Sequence, residues 1–177
     1  MNATYPADPR MLDLALLVAR LVIGLLMAAH GAQKLLGWFG GYGLNTTGEF
    51  FVQLGFHRGR AFATMASVSE VASGLLVAFG FLGPVGPAVI ISVMIVAAIS
   101  VHWKNGLFAA SNGIELNLLY ATGAFALALT GFGAYSLDAL LGIRAAWTPG
   151  ITWAVLTIGV VGGIGNLVLR HPVKARA

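Results

Sequence analysis

Residues 14–36 read Leu-Ala-Leu-Leu-Val-Ala-Arg-Leu-Val-Ile-Gly-Leu-Leu-Met-Ala-Ala-His-Gly-Ala-Gln-Lys-Leu-Leu, an apolar run long enough to span a ~30 Å hydrocarbon core, for which about 20 helical residues suffice. On a helix, Arg20, Gly24, Met27, Gly31 and Lys34 recur at steps of three and four. They form one narrow stripe, with His30 at its margin. Facing lipid, such a stripe would be costly, because an ionisable side chain at membrane depth costs at least ~2.5 to 3.5 kcal/mol and turns to the bundle interior for a partner. The run is therefore expected to be one helix of a membrane bundle.

Four more apolar runs follow, at 61–82, 87–102, 114–130 and 151–169. The third starts after Pro84 and Pro87, where a first helical turn tolerates proline. Composition agrees: 58% of the 177 residues are hydrophobic and only 9% charged, against roughly a quarter charged in soluble domains. The expected fold is all-α, a polytopic transmembrane helical bundle forming a single membrane domain over 1–177. The run at 14–36 continues well past Ala28-Ala29 and no basic segment precedes it, so it reads as a retained span rather than a signal sequence.

Between the first two spans, residues 37–59 open with Trp38-Phe39-Gly40-Gly41-Tyr42-Gly43, an interfacial composition. Thr46 and Glu49 have capping-box spacing and Phe50, Phe51 and Leu54 share a face, which predicts a short helix on the membrane surface, or else a loop packed over the bundle. Arg10 and Arg144 fall on one side of five spans; Lys34, Arg58, Arg60, Lys104, Arg170, Lys174 and Arg176 fall on the other. Basic loops stay cytoplasmic, so the N-terminus is predicted outside and the C-terminus inside. The net charge of +4 lies in loops and helix ends without a contiguous patch, which excludes a nucleic-acid footprint.

Absence of cysteine removes disulfide chemistry, thiol-ligated metals and covalent haem attachment through C-x-x-C-H. No metal-ligand spacing such as H-E-x-x-H occurs. The chemistry rests on membrane-depth charges. Glu70 is central in the second span with Ser67, Ser73 and Gly74 on its face, and depth counted from the ends of the apolar runs puts it midway between Arg20 and His30, within ~10 Å of each. It is expected either to pair with Arg20 as a strut or to anchor a polar pocket between the first three spans. A second cluster, His30, Lys34, His102, Lys104, Glu115 and Asn117, gathers at the cytoplasmic ends. His30 and His102 have the spacing to flank a haem, a weaker reading than hydrogen-bonded core histidines. Candidate ligand-binding residues are Arg20, His30, Lys34, Glu70, His102 and Glu115; the 151–169 span has no ionisable residue and is expected to be peripheral to the site.

Arg20-Leu-Val-Ile-Gly24, His30-Gly31-Ala-Gln-Lys34-Leu35, Gly37-Trp38-Phe39, Glu70 with Gly74-Leu75 and Gly80, Glu115, and Gly131-Phe-Gly133-Ala-Tyr135-Ser136-Leu137-Asp138 together resemble the DoxX family of bacterial and archaeal membrane proteins. The resemblance covers about 14–140 and implies a four-helix core, to which the 151–169 span is an addition. It further implies a cell inner-membrane location and a subunit, at most, of a quinone-linked oxidoreductase: the family takes its name from a subunit associated with a terminal quinol oxidase and thiosulfate:quinone oxidoreductase. Quinone is then the expected cofactor. The implied partners are the lipid bilayer and a peripheral or membrane redox protein, with further copies of the chain as another candidate. A non-catalytic scaffold and a small-molecule or lipid carrier are the competing functions.

Overall fold

A computed structural model describes residues 8–171; Lys174 and Arg176, counted above for orientation, lie outside the described residues. Helix α1 (Pro9–Leu36) is capped by Asp8, which accepts the Arg10 N–H at 2.9 Å, carries Pro9 in its first turn, and ends on Gly37 in the left-handed region. Helices α2 (Gly43–Gln53), α3 (Gly59–Phe79) and α4 (Val85–Ala97) follow, and α4 continues through a π-helical turn, Ala98–His102, and a 3-10 turn to Asn105. Then come α5 (Glu115–Thr130), the single turn α6 (Leu137–Leu140) and α7 (Pro149–Val168), begun by Thr148 and Pro149.

Among the described residues, four helices have the length and apolar composition to cross a membrane: Pro9–Leu36, Gly59–Phe79, Val85–Asn105 and Pro149–Val168. At 16 residues α5 is shorter, yet it links the two ends of the bundle. Its start follows the 3-10 turns beyond α4, while the chain beyond its end returns to the α3–α4 turn, where Asp138 accepts the Leu82 and Gly83 N–H groups at 2.9 and 2.7 Å. The protein is thus a helical membrane bundle. Many apolar side chains on its outer faces are more than half exposed, Val22, Leu25 and Leu26 on α1 and Ile158, Val161 and Ile164 on α7 among them. Water would not tolerate that surface, and lipid is its natural solvent.

Small residues set the packing, since helices in lipid gain from close approach rather than from a hydrophobic drive. Helix α1 lies against α3 so closely that a Cβ on Gly24 would stand 2.5 Å from the Gly74 carbonyl oxygen, and one on Gly31 2.6 Å from that of Ser67. On the other flank α7 lies against α4 through Gly159 and Gly163, whose added Cβ atoms would meet the Ala88 and Ser92 backbone. Gly165 faces open space. The core between these pairs is built from Met27, Val77, Ile90, Met94, Ala124 and Leu127.

Helix α2 forms, but not by the expected signal. It begins at Gly43, so Thr46 is interior and caps nothing, and Thr47 Oγ1 bonds back to the Gly43 carbonyl at 2.7 Å. Its partners are α3 and α1, which makes it one wall of the bundle.

Candidate functional site

The α1–α3 contacts fix an antiparallel register in which Gly24 meets Gly74 and Ala78, and Gly31 meets Ser67 and Val71. Glu70 is therefore opposite the His30 region of α1, and Arg20 lies ten residues away, about 15 Å at 1.5 Å per residue. The expected pairing of Arg20 with Glu70 is incorrect for this reason: register follows the glycine contacts, not the ends of the apolar runs. Glu70 pairs instead with Lys34 through Oε1, one turn past its opposite position, which a lysine stem bridges.

Arg20, 3% exposed, donates from Nη2 to the Tyr135 carbonyl and lies against Gly80. It braces the end of the bundle that holds the α3–α4 turn, together with Asp138 and with Asp13, whose Oδ1 accepts the Ala134 N–H at 2.8 Å. Leu82 is held at φ 60° and Gly83 at φ 46° in the turn that Asp138 caps, a conformation that costs a leucine roughly 1–2 kcal/mol.

Beside the ion pair is a cavity of about 760 Å³, walled by α2 and α3 on one side and by α4 and α7 on the other. Its lining is largely apolar, including Phe50, Met65, Val89, Val96 and Ile158. Lys34, Glu70 and His102 supply charge-bearing and titratable groups, and Ser69, Ser92 and Ser100 supply hydroxyls. Glu70 is 1% exposed and the Lys34 side chain 36%. Among the described residues, Glu70 Oε2 and Ser100 Oγ have no hydrogen-bond partner in the protein, a condition that buried polar atoms rarely tolerate. His102 donates from Nδ1 to the Asn112 carbonyl at 2.8 Å, which leaves Nε2 as an acceptor in the neutral ring.

Of the six sequence candidates, Lys34, Glu70 and His102 line this cavity; Arg20, His30 and Glu115 do not. His30 stands edge-on to Tyr120 at 5.8 Å and near Gln33. Glu115 Oε2 accepts the Ala109 N–H at 2.7 Å and pins the turn before α5. Ser67 and Ser73, expected to flank Glu70 in a pocket, are buried, bond to carbonyls of their own helix and do not line the cavity. Ser69, one position from Glu70, faces the cavity in their place. The expectation that the last helix is peripheral also fails, because Val155, Ile158, Gly159 and Asn166 of α7 form part of the wall. Absence of charge in α7 carried no information about an apolar cleft.

Fold and site together define a polytopic helical membrane protein with an ion pair, its carboxylate buried and its lysine half-buried, beside an apolar cleft. A family model described as DoxX matches residues 15–103, just over half of the chain and including Lys34, Glu70 and His102. The chain belongs to the DoxX family. Comparison with curated proteins and with solved structures gives no match.

Proposed function

We propose that this protein is a quinone-linked subunit of a membrane-associated oxidoreductase, with the quinone held in the cleft and a peripheral or membrane partner supplying the electrons. The observation that carries the reading is the Lys34–Glu70 pair at the wall of an apolar cavity of about 760 Å³. A quinone needs apolar housing for its tail, donors at its carbonyls and a proton acceptor when reduced. Lys34 donates, Glu70 accepts, and His102 offers a second titratable nitrogen. In this reading 14–140 is the family core, α7 completes the cleft, the membrane is the cell inner membrane, and the N-terminus lies outside with the C-terminus in the cytoplasm.

Purification in mild detergent, extraction and mass spectrometry of the bound small molecules tests it. Co-purifying quinone, lost in Lys34→Met, is the expected result; a fully occupied cleft containing no quinone overturns it. A second reading, a small-molecule or lipid carrier, draws on the lipid-facing lips of the cleft, where Met65 and Ile158 are well exposed. A proteoliposome flux assay addresses that one. In a purely scaffolding protein the pair would serve only as a strut.

A further inference from the structure

We infer that the cleft selects a ligand whose head is a hydroxyl, in preference to a bare carbonyl or an anion, borne on a hydrocarbon tail taken up sideways from the lipid. The inference rests on the cleft being a ligand site, and it adds the head chemistry and the route.

Head chemistry follows from what Glu70 has left over. Its Oε1 takes the Lys34 ammonium, while Oε2, in a side chain 1% exposed, has no partner among the described residues. An ionised carboxylate only accepts, so whatever satisfies Oε2 must donate. An ammonium has three N–H groups, one of them spent on Oε1, so the same head also meets unused donors. A hydroxyl does both at once, giving its proton to Oε2 and a lone pair to Lys34 Nζ. A carbonyl would engage Lys34 and leave Oε2 bare, at a cost of roughly tenfold or more in affinity. A phosphate or carboxylate head would set like charge against Oε2. Ser100, a buried hydroxyl without a partner that lines the cavity from the α4 side, adds a second polar station of the same kind.

The route follows from which ends are shut. At the inner end, the His171 N–H donates to the Gly55 carbonyl at 3.0 Å, Arg170 Nε donates to the Leu54 carbonyl, and the His57 and His171 rings stand 5.3 Å apart. At the outer end, Asp138 ties the α3–α4 turn. Between these ties the lips are apolar side chains at membrane depth, with Ile158 70% exposed. A chain lying in the bilayer reaches the ion pair without crossing water.

The test is equilibrium binding to the full chain in nanodiscs under argon. The probes are a decyl-tailed benzoquinone, its hydroquinone, the dimethyl ether of that hydroquinone, a monoacylglycerol and a single-chain phosphate-headed lipid. The hydroquinone and the monoacylglycerol should bind about tenfold tighter than the quinone, with the ether and the phosphate weakest. In Glu70→Gln, whose amide both donates and accepts, the hydroquinone and quinone should come within about twofold of each other. Should that variant misfold, the hydroquinone against its ether on the unaltered protein still decides. Equal binding of quinone and hydroquinone overturns this inference while leaving the quinone-linked reading standing. Binding of the monoacylglycerol by a protein that takes neither redox form supports the inference and overturns that reading, and binding of no probe overturns both.

Discussion

Lys34 and Glu70 form the pair on which the site depends, and a pair whose carboxylate is buried is more informative broken than intact. Lys34→Met would strand the Glu70 charge and is expected to destabilise the protein by about 3–5 kcal/mol, with Glu70→Gln in the same chain restoring most of it. Thermal unfolding in detergent checks this. The same cycle run on Arg20→Met and Glu70→Gln should show effects that add, because residues more than about 10 Å apart without shared partners do not couple. Strong coupling there would mean that the register is wrong. Asp138 is the second residue to probe. It accepts two backbone N–H groups at a turn that holds Leu82 in the left-handed region, and hydrogen bonds to a charged group contribute about 1.5–3 kcal/mol each. Asp138→Ala should lower the unfolding temperature markedly, and Leu82→Gly in that background should recover part of the loss.

At the scale of elements, the helices pair as α1 with α3 and α4 with α7, α3 and α4 pack on each other, and the cavity opens between α2 and α3 on one side and α4 and α7 on the other. Helix α7 is therefore structural for the site despite having no charge. Deletion from Thr148 onward is expected to abolish ligand binding even in protein that remains folded, and retention of binding by the truncated chain would show that three walls suffice. A smaller change makes the same point: Gly159→Leu pushes a side chain into the Ala88 backbone, 2.5 Å from where its Cβ must sit. It should weaken binding and stability together, whereas Gly165→Leu, facing open space, should change neither by more than about 0.5 kcal/mol.

Across the whole molecule, the proposed topology counts α5 with the four described helices that are long and apolar enough to span, and on that count it puts the two termini on opposite sides. The proposed orientation rests on basic residues clustered beside the α1, α3, α4 and α7 ends that share one side. Reporter fusions in the Leu82–Gly83 turn and after Arg170 should read outside and cytoplasmic respectively. Two readings on the same side would remove α5 from the list of spans, and exchanged readings would invert the protein.

The membrane class, the helical fold and the approximate span limits were legible in the sequence, because lipid imposes them locally: each backbone must satisfy its own hydrogen bonds and each span must stay apolar over its length. Glu70, Lys34 and His102 were legible as candidates on the same ground, since a charge at membrane depth announces itself by its cost. Their grouping was not. Whether Glu70 meets Arg20 or Lys34 depends on how far α1 slides along α3, and that is decided by glycine faces whose contacts exist only once both helices are in place. The cleft was equally invisible, since apolar residues at Val89, Val96 and Ile158 read alike whether they face lipid, a neighbouring helix or a cavity. Only tertiary packing distinguishes those three surroundings, because all of them are equally dry.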